Sequence, residues 1–359
     1  MTGNVDANEE AAMSEPRPAP QRAATIYDVA RMAGVSHQTV ARFLTGTGGI
    51  RPANKVRVEQ ALAELNYRPN RTARSLATNR TFRLGALGYE LSGTGPSKTM
   101  QGASEAARRA GYSLDIVSLD PMKDTELDEA LDVLNNRDLE GVLATAPTDA
   151  VSAALDALDL GVPIVVDRGS DLEAMIASET ADGALPDVGP FAAVRHLIDL
   201  GHTRIAHLAG PADWISARSR IAAYERTLRH HGLEPLRLVA GDWSSRSGYL
   251  AAPDVLALQP TAVFASNDRM ALGLMKRMHE QGIRIPADIS VVGFDDLAEA
   301  EFFHPSLTTV RQDFDAMGRA AAETLISMIE HPDELPHVPY PVPELVVRES
   351  TGPAPGTPA

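Results

Sequence analysis

The spacing of apolar residues changes character once along the chain, and the change divides it into a head and a body. In the head, Ile26, Val29, Ala30 and Ala33 recur three and four apart, the period of one helical face. Thr25 and Asp28 stand at capping-box spacing, with Asp in place of the usual Glu or Gln. Gly34 stops that helix and Ser36 is a good N-cap for the next. There Val40, Phe43 and Leu44 share an apolar face, which turns His37, Gln38 and Arg42 outward. After the loop "GTGGIRP", a third helix is predicted from Pro52 to Leu65, with Val58, Ala61, Leu62 and Leu65 inward. Helix, tight turn, helix and supporting helix make a helix-turn-helix. Such a motif sets the start of its second helix against base edges in the major groove.

The body alternates short apolar runs with helical patterns. Strands are predicted at Leu84–Tyr89, Ser113–Leu119, Gly141–Ala144, Pro163–Asp167, Arg204–Leu208, Ala262–Ala265 and Ile289–Phe294. Between them lie helices such as Met100–Ala110, Asp124–Asn136, Phe191–Leu200 and Ile215–His230. Regular alternation means βαβ units and parallel sheets covered on both faces. The body is too long for one such sheet, so two lobes are expected. Ligands of open α/β sheets lie beyond the carboxyl ends of the strands. Asp167, Asn267 and Asp295 fall there, and Asp268 is placed to cap the helix from Met270 onward.

Charge separates the same two parts. Residues 21–83 hold eleven Arg or Lys against Asp28, Glu59 and Glu64, a net +8, whereas the whole chain of 359 residues carries −15. Residues 1–20 carry −3, which leaves −20 for the rest. A basic head on an acidic body is the footprint of a phosphate-binding module. Zero cysteines exclude disulfides and thiolate chemistry. No apolar run approaches the ~18 residues that a membrane span needs. The acidic, Ala/Pro-rich start lacks a secretory pattern, so a cytoplasmic location is expected. "GTGPSKT" lacks the glycine before lysine of a phosphate loop, and neither G-x-S-x-G nor H-E-x-x-H occurs. The His230–His231 pair beside Gly232 reads as a helix end. No catalytic residues, metal or cofactor are expected.

"TIYDVARMAGVSHQTVARFLTG", "RPNRTARSLAT", "GHTRIAHLAGP", "SARSRIAAYERTL", "GDWS", "ASNDRMALGLM", "ISVVGFDD" and "PSLTTVRQDF" follow in that order. Together they resemble the lactose-repressor (LacI/GalR) family of transcription regulators from about Thr25 to Ser350. Ala41, Thr45 and the stretch 181–190 depart from the family's usual pattern. The resemblance implies an all-α helix-turn-helix head on an α/β effector domain of two lobes with parallel sheets, like periplasmic binding proteins. It implies a DNA-binding domain at 23–69 and a hinge at 70–80, and composition predicts a disordered tail at 1–22. The N-terminal lobe would span 81–182 and 312–341, the C-terminal lobe 183–311 and 342–350, and a disordered tail 351–359.

It also implies site residues. His37, Gln38 and Arg42 would read bases, and Gln and Arg have bidentate matches in adenine and guanine. Thr25, Ser36 and Thr39 would position phosphates. Arg71 and Arg74 of the hinge would reach phosphates, and Leu76 would wedge between base steps. Asp167, Arg220, Asn267, Asp295 and Gln312 would hold an effector, walled by Trp243 and Phe314. Donors and acceptors of this kind suit sugar hydroxyls, and an aromatic face suits a pyranose. The reading is a repressor that binds operator DNA as a homodimer under control of a small sugar such as a galactoside, with a purine corepressor as the alternative. A free-standing sugar-binding protein is the rival of another class, and the basic head argues against it.

Overall fold

The computed structural model describes residues 24–45, 49–67, 80–91, 93–119, 129–130, 132–134, 138–168, 188–334 and 338–356. The chain divides into two units, Met1–Arg80 and Thr81–Ala359.

The first unit is built by short-range rules. Helix α1 (Ile26–Ala33) starts at a complete capping box between Thr25 and Asp28 and ends at Gly34, whose φ of 61° a side chain would resist. Helix α2 (His37–Thr45) and α3 (Pro52–Glu64) follow, the last with proline in its first turn, where no amide is missed. Val29, Val40, Val58 and Ala61 close a small core flanked by Ile26, Phe43, Leu44, Leu62 and Leu65.

The second unit opens with β1 (Arg83–Tyr89), α4 (Thr94–Arg109), β2 (Ser113–Leu119), β3 (Gly141–Thr145), α5 (Asp149–Asp156) and β4 (Ile164–Asp167). Their strands form a parallel sheet in the order β2-β1-β3-β4. Next come α6 (Gly189–Asp199), β5 (Ile205–Ala209), α7 (Ile215–His230), β6 (Val239–Ala240), α8 (Ser245–Ala257), β7 (Ala262–Ala265), α9 (Asp268–Glu280) and β8 (Ser290–Val292). These strands form a second parallel sheet, β6-β5-β7-β8. In each sheet the strand order reverses beside the first strand, the switch point where such folds open a crevice.

Two later strands, β9 (Thr309–Arg311) and β10 (Glu344–Val346), pair antiparallel, and Val310 and Leu345 pack with the second sheet. Between them α10 (Phe314–Glu330) packs with the first, where Ala322, Leu325 and Ile326 share a core with Leu84 and Leu143. Both lobes seat one helix crossing on glycine: Gly102 and Gly318 between α4 and α10, Gly248 and Gly273 between α8 and α9. A Cβ at any of these would strike the partner's backbone.

Two expectations are corrected. Helix α4 begins at Thr94, not Met100, because Gly93 supplies an extended N-cap and Pro96 is tolerated in the first turn. The segment from 351 is not a loose tail through Gly356. Thr351 Oγ1 lies 2.9 Å from His196 Nε2 and 3.0 Å from Thr308 Oγ1. The Gly352 amide donates to Ser290 Oγ at 3.1 Å, that of Ala354 donates to the Leu200 carbonyl at 2.9 Å, and Ala354 is buried. The expected tail 1–22 and most of the Asp124–Asn136 helix lie outside the described residues. No helix among the described residues is long and apolar enough to cross a membrane.

Candidate DNA-reading face and effector cleft

On the head, the capping chemistry decides which polar groups remain available. The Thr25 amide and hydroxyl both donate to Asp28 Oδ2, at 2.9 and 2.7 Å. Ser36 Oγ accepts from the Thr39 amide at 3.2 Å, and its hydroxyl lies 2.9 Å from Thr39 Oγ1. These three side chains therefore order the starts of α1 and α2. His37, Gln38 and Arg42 lie exposed on α2, while Val40 of the same helix is fully buried. Tyr27, which the sequence reading passed over, is 62% exposed and packs its ring 5.1 Å from that of His37. The two rings make one aromatic patch at the start of α2. Arg71, Arg74 and Leu76 lie outside the described residues.

In the second unit the expected residues fall into two groups. Arg220, on the second turn of α7, donates through Nη1 to the Ser266 carbonyl and holds Nη2 3.6 Å from Asp295 Oδ1. Its Cζ lies 4.0 Å from the Phe294 ring centre and 5.4 Å from that of Trp243. Gln312 Nε2 donates to the same Asp295 oxygen at 2.8 Å. Arg220 and Asp295 are only 12% and 18% exposed, so each charge depends on the other. Burial raises the Asp295 carboxyl above the usual range, and the Arg220 guanidinium opposes that rise. Asp295 has a φ of 114°, a costly backbone for a residue with a Cβ. A hydrogen bond from its amide to the Val310 carbonyl, at 2.8 Å, holds it there.

Trp243 closes the other side of this corner, itself at a φ of 70°. Its indole lies over Gly210, where a methyl group would strike the ring. The indole Nε1 is buried and has no hydrogen-bond partner among the described residues. Such a donor is costly to bury unless a ligand completes it. Asp167 and Phe314 come from the first sheet's side. Asp167 ends β4, half-buried, and Phe314 opens α10 against Gly95.

The cap of α9 falls on Asn267, not on Asp268 as expected. Asn267 is the N-cap of α9, accepting from the Met270 amide at 2.8 Å, and its Nδ2 donates to the Trp243 carbonyl at 3.0 Å. Thus Asn267 fixes the strained backbone of Trp243. Asp268 is fully buried, accepting from the Leu297 amide at 2.8 Å and from Thr309 Oγ1 at 2.5 Å. Burial, and after it the neighbouring Asp295, push its carboxyl up to about 8.

His207 was also missed, although a histidine inside the apolar run "IAHLA" is a visible signal. It is fully buried between Tyr224 and Phe264, with Nδ1 2.9 Å from the Phe264 carbonyl and Nε2 3.3 Å from Ser266 Oγ. A carbonyl only accepts, so Nδ1 carries the proton and Nε2 receives the Ser266 hydroxyl. Burial lowers its pKa to about 4, which keeps it neutral beside Arg220. His231 caps α7, with Nδ1 2.9 Å from the Thr227 carbonyl.

Comparison with known proteins agrees with this anatomy. The family description "Bacterial regulatory proteins, lacI family" matches residues 25–70, and "Periplasmic binding protein-like domain" matches residues 194–351. The chain is 35% identical to the lactose operon repressor of Escherichia coli (strain K12), over 85% of this chain and 84% of that one. It is 34% identical to the HTH-type transcriptional repressor PurR of Vibrio atlanticus, over 91% and 98%. Among solved structures, the Lac repressor dimer bound to operator and the anti-inducer ONPF superposes with a TM-score of 0.73 at 32% identity. That match covers 92% of this chain and all of the other. The chain belongs to the LacI family of DNA-binding transcriptional regulators.

Proposed function

We propose that the protein is a repressor that binds operator DNA as a homodimer through its head and is controlled by a small sugar held in its second unit. The observation that carries the effector reading is the buried corner of Arg220, Asp295 and Gln312 beside Trp243, whose indole donor has no partner among the described residues. A guanidinium, a carboxylate and an amide next to an aromatic face match the hydroxyls and the C–H face of a pyranose. Asp167, Asn267 and Phe314 complete the proposed pocket, Asn267 through its hold on Trp243. The lobes are taken as 81–182 with 312–341, and 183–311 with 342–350. The packing of α10 with the first sheet and of β9 and β10 with the second supports that partition.

On the head, His37, Gln38 and Arg42 read bases, Thr25, Ser36 and Thr39 set the backbone register, and Arg71, Arg74 and Leu76 form the hinge contacts. Exposed Leu250, Leu272 and Phe302, the last at 80%, support a self-association surface. Leu272→Asp is expected to turn a sedimenting dimer into a monomer, and an unchanged dimer would move that surface elsewhere.

The sugar acts by binding one arrangement of the lobes better than another. Coupling of about 1–3 kcal/mol would change operator affinity about 5- to 150-fold. The PurR relatives support a second reading, a purine corepressor in the same cleft. Intrinsic fluorescence separates the two, because Trp214 and Trp243 are the only tryptophans. Titration with galactosides, glucosides, other hexoses, pentoses and purines should give a saturable change with a sugar. Operator binding with and without that sugar then gives the sign of control. A response to purines alone would replace the sugar by a purine.

A further inference from the structure

We propose that Trp214 is a specificity-determining residue that makes the cleft select a two-ring glycoside, a disaccharide or aryl glycoside, over a single sugar. The inference rests on the sugar reading above and adds the size and shape of the ligand.

Trp214 ends the loop "GPADW" that leaves the carboxyl end of β5, the edge where a ligand of this fold lies. Three contacts tie this loop to the first lobe's loop beyond β3. Trp214 forms an isolated antiparallel bridge with Thr148, the Ile215 amide donates to the Pro147 carbonyl at 2.8 Å, and Arg218 Nη2 lies 2.6 Å from Asp149 Oδ1. Trp214 therefore sits at the seam of the two lobes, with its backbone fixed by one of them and its ring turned to the other. That ring, half-buried, meets Trp243 edge to face, with centroids 5.7 Å apart and planes at 67°.

Two indoles at such an angle form a corner, and a single flat ring can lie on only one of them. A ring stacked on Trp243 reaches the charged group of Arg220, whose Cζ lies 5.4 Å from that indole. A second ring, set off by the bend of a glycosidic bond, then meets Trp214. An acceptor oxygen on the ligand would complete the buried Trp243 Nε1, which nothing among the described residues satisfies. Indoles suit both kinds of second ring, since each offers an apolar face to stack on.

The test is calorimetric titration of the full chain and of Trp214→Ala and Trp214→Phe. The probes are lactose, cellobiose and phenyl β-galactoside against methyl β-galactoside and methyl β-glucoside. The unsubstituted protein should prefer the two-ring member of a pair by about tenfold, as one added aromatic contact provides. Trp214→Ala should erase that preference and leave the methyl glycoside within about twofold, which also shows that the pocket is folded. Trp214→Phe should restore part of it. A preference that survives in Trp214→Ala, an equal loss for both ligand types, or no preference in the unsubstituted protein would overturn the proposal while leaving the sugar reading intact. Failure of the unsubstituted protein to bind any glycoside would instead overturn the sugar reading, and this inference with it.

Discussion

The two chemically active regions of this chain are built in opposite ways. On the head, His37, Gln38 and Arg42 project from one short helix into solvent, and among the described residues the apolar side chains that hold that helix lie between Ile26 and Tyr67. In the cleft, Arg220 and Asp295 are buried, come from distant parts of the chain, and stabilise each other's charge. An exposed reading face is therefore modular, and its side chains can change with little cost to the fold. In the cleft Arg220, Asp295 and Gln312 are at once prospective ligand contacts and structural partners of one another. Substitutions there should be felt by both binding and stability.

The largest effect that distinguishes the two is expected from Asp295→Asn. The amide is close in shape, and Asn tolerates a positive φ better than most residues. It leaves Arg220 buried without its carboxylate, a loss of about 3–5 kcal/mol in comparable pairs. Effector affinity should fall by about 100-fold or more, with effector-free operator binding retained. Calorimetry and operator titration read the two halves separately. Loss of both together would mean that the regions are not modular.

Next in size is a pH effect confined to the cleft. Asp268 holds its proton up to about pH 8, whereas an unfolded aspartic acid releases it near ~4. A carboxyl raised in this way stabilises the fold fully below the unfolded value, and that contribution is lost as pH rises through about 8. The main melting transition should thus fall between pH 6 and 9. Asp268→Asn, with no proton to release, should flatten the profile. A parent profile already flat over that range would show that Asp268 is ionised in the folded protein.

These residues also mark what could be read in advance. Strands β2 and β7 and helix α7 have the bounds that the sequence pattern predicts, because apolar runs and helical periods are local signals. The capping box of α1 was equally legible. The cap of α9 at Asn267, one residue before the expected Asp268, was not. A cap shifts by one residue with no change in composition, and only the exit of β8, where the Asp268 amide donates to the Phe294 carbonyl at 2.9 Å, buries the second side chain. Trp214 was visible as a tryptophan, but its meeting with Trp243 depends on two loops far apart in the chain. The start of α4 at Thr94 was not legible either, because the glycine and proline of "TGPSKT" suit a loop as well as a helix start.

A smaller effect is expected on the head from Gln38→Ala. One bidentate contact to a base is worth about 1–3 kcal/mol of discrimination. Specificity at one operator position should relax by that amount, with nonspecific binding, melting temperature and effector affinity all unchanged. A selection experiment over randomised half-sites would read the position directly. Uniform weakening across all sequences would reassign Gln38 to the phosphate backbone.

The smallest change tests whether the head is as modular as its exposure suggests. Thr25→Ala removes the hydroxyl that donates to Asp28 at 2.7 Å and the oxygen that accepts from the Asp28 amide, while the Thr25 amide keeps its bond to the carboxylate. Half of the capping box survives, so the cost should be near the ~1 kcal/mol typical of a lost N-cap. If Thr25 only orders α1, amide exchange should quicken in its first turn, and operator affinity should fall by no more than about tenfold. The salt dependence of binding would then stay the same. If its hydroxyl also meets a phosphate, affinity should fall further, with discrimination between operator sequences preserved. In either case the cleft should not register the change, since the residues that stabilise Arg220 and Asp295 all lie in the other unit. A shift in effector affinity would show that the two regions communicate even without DNA.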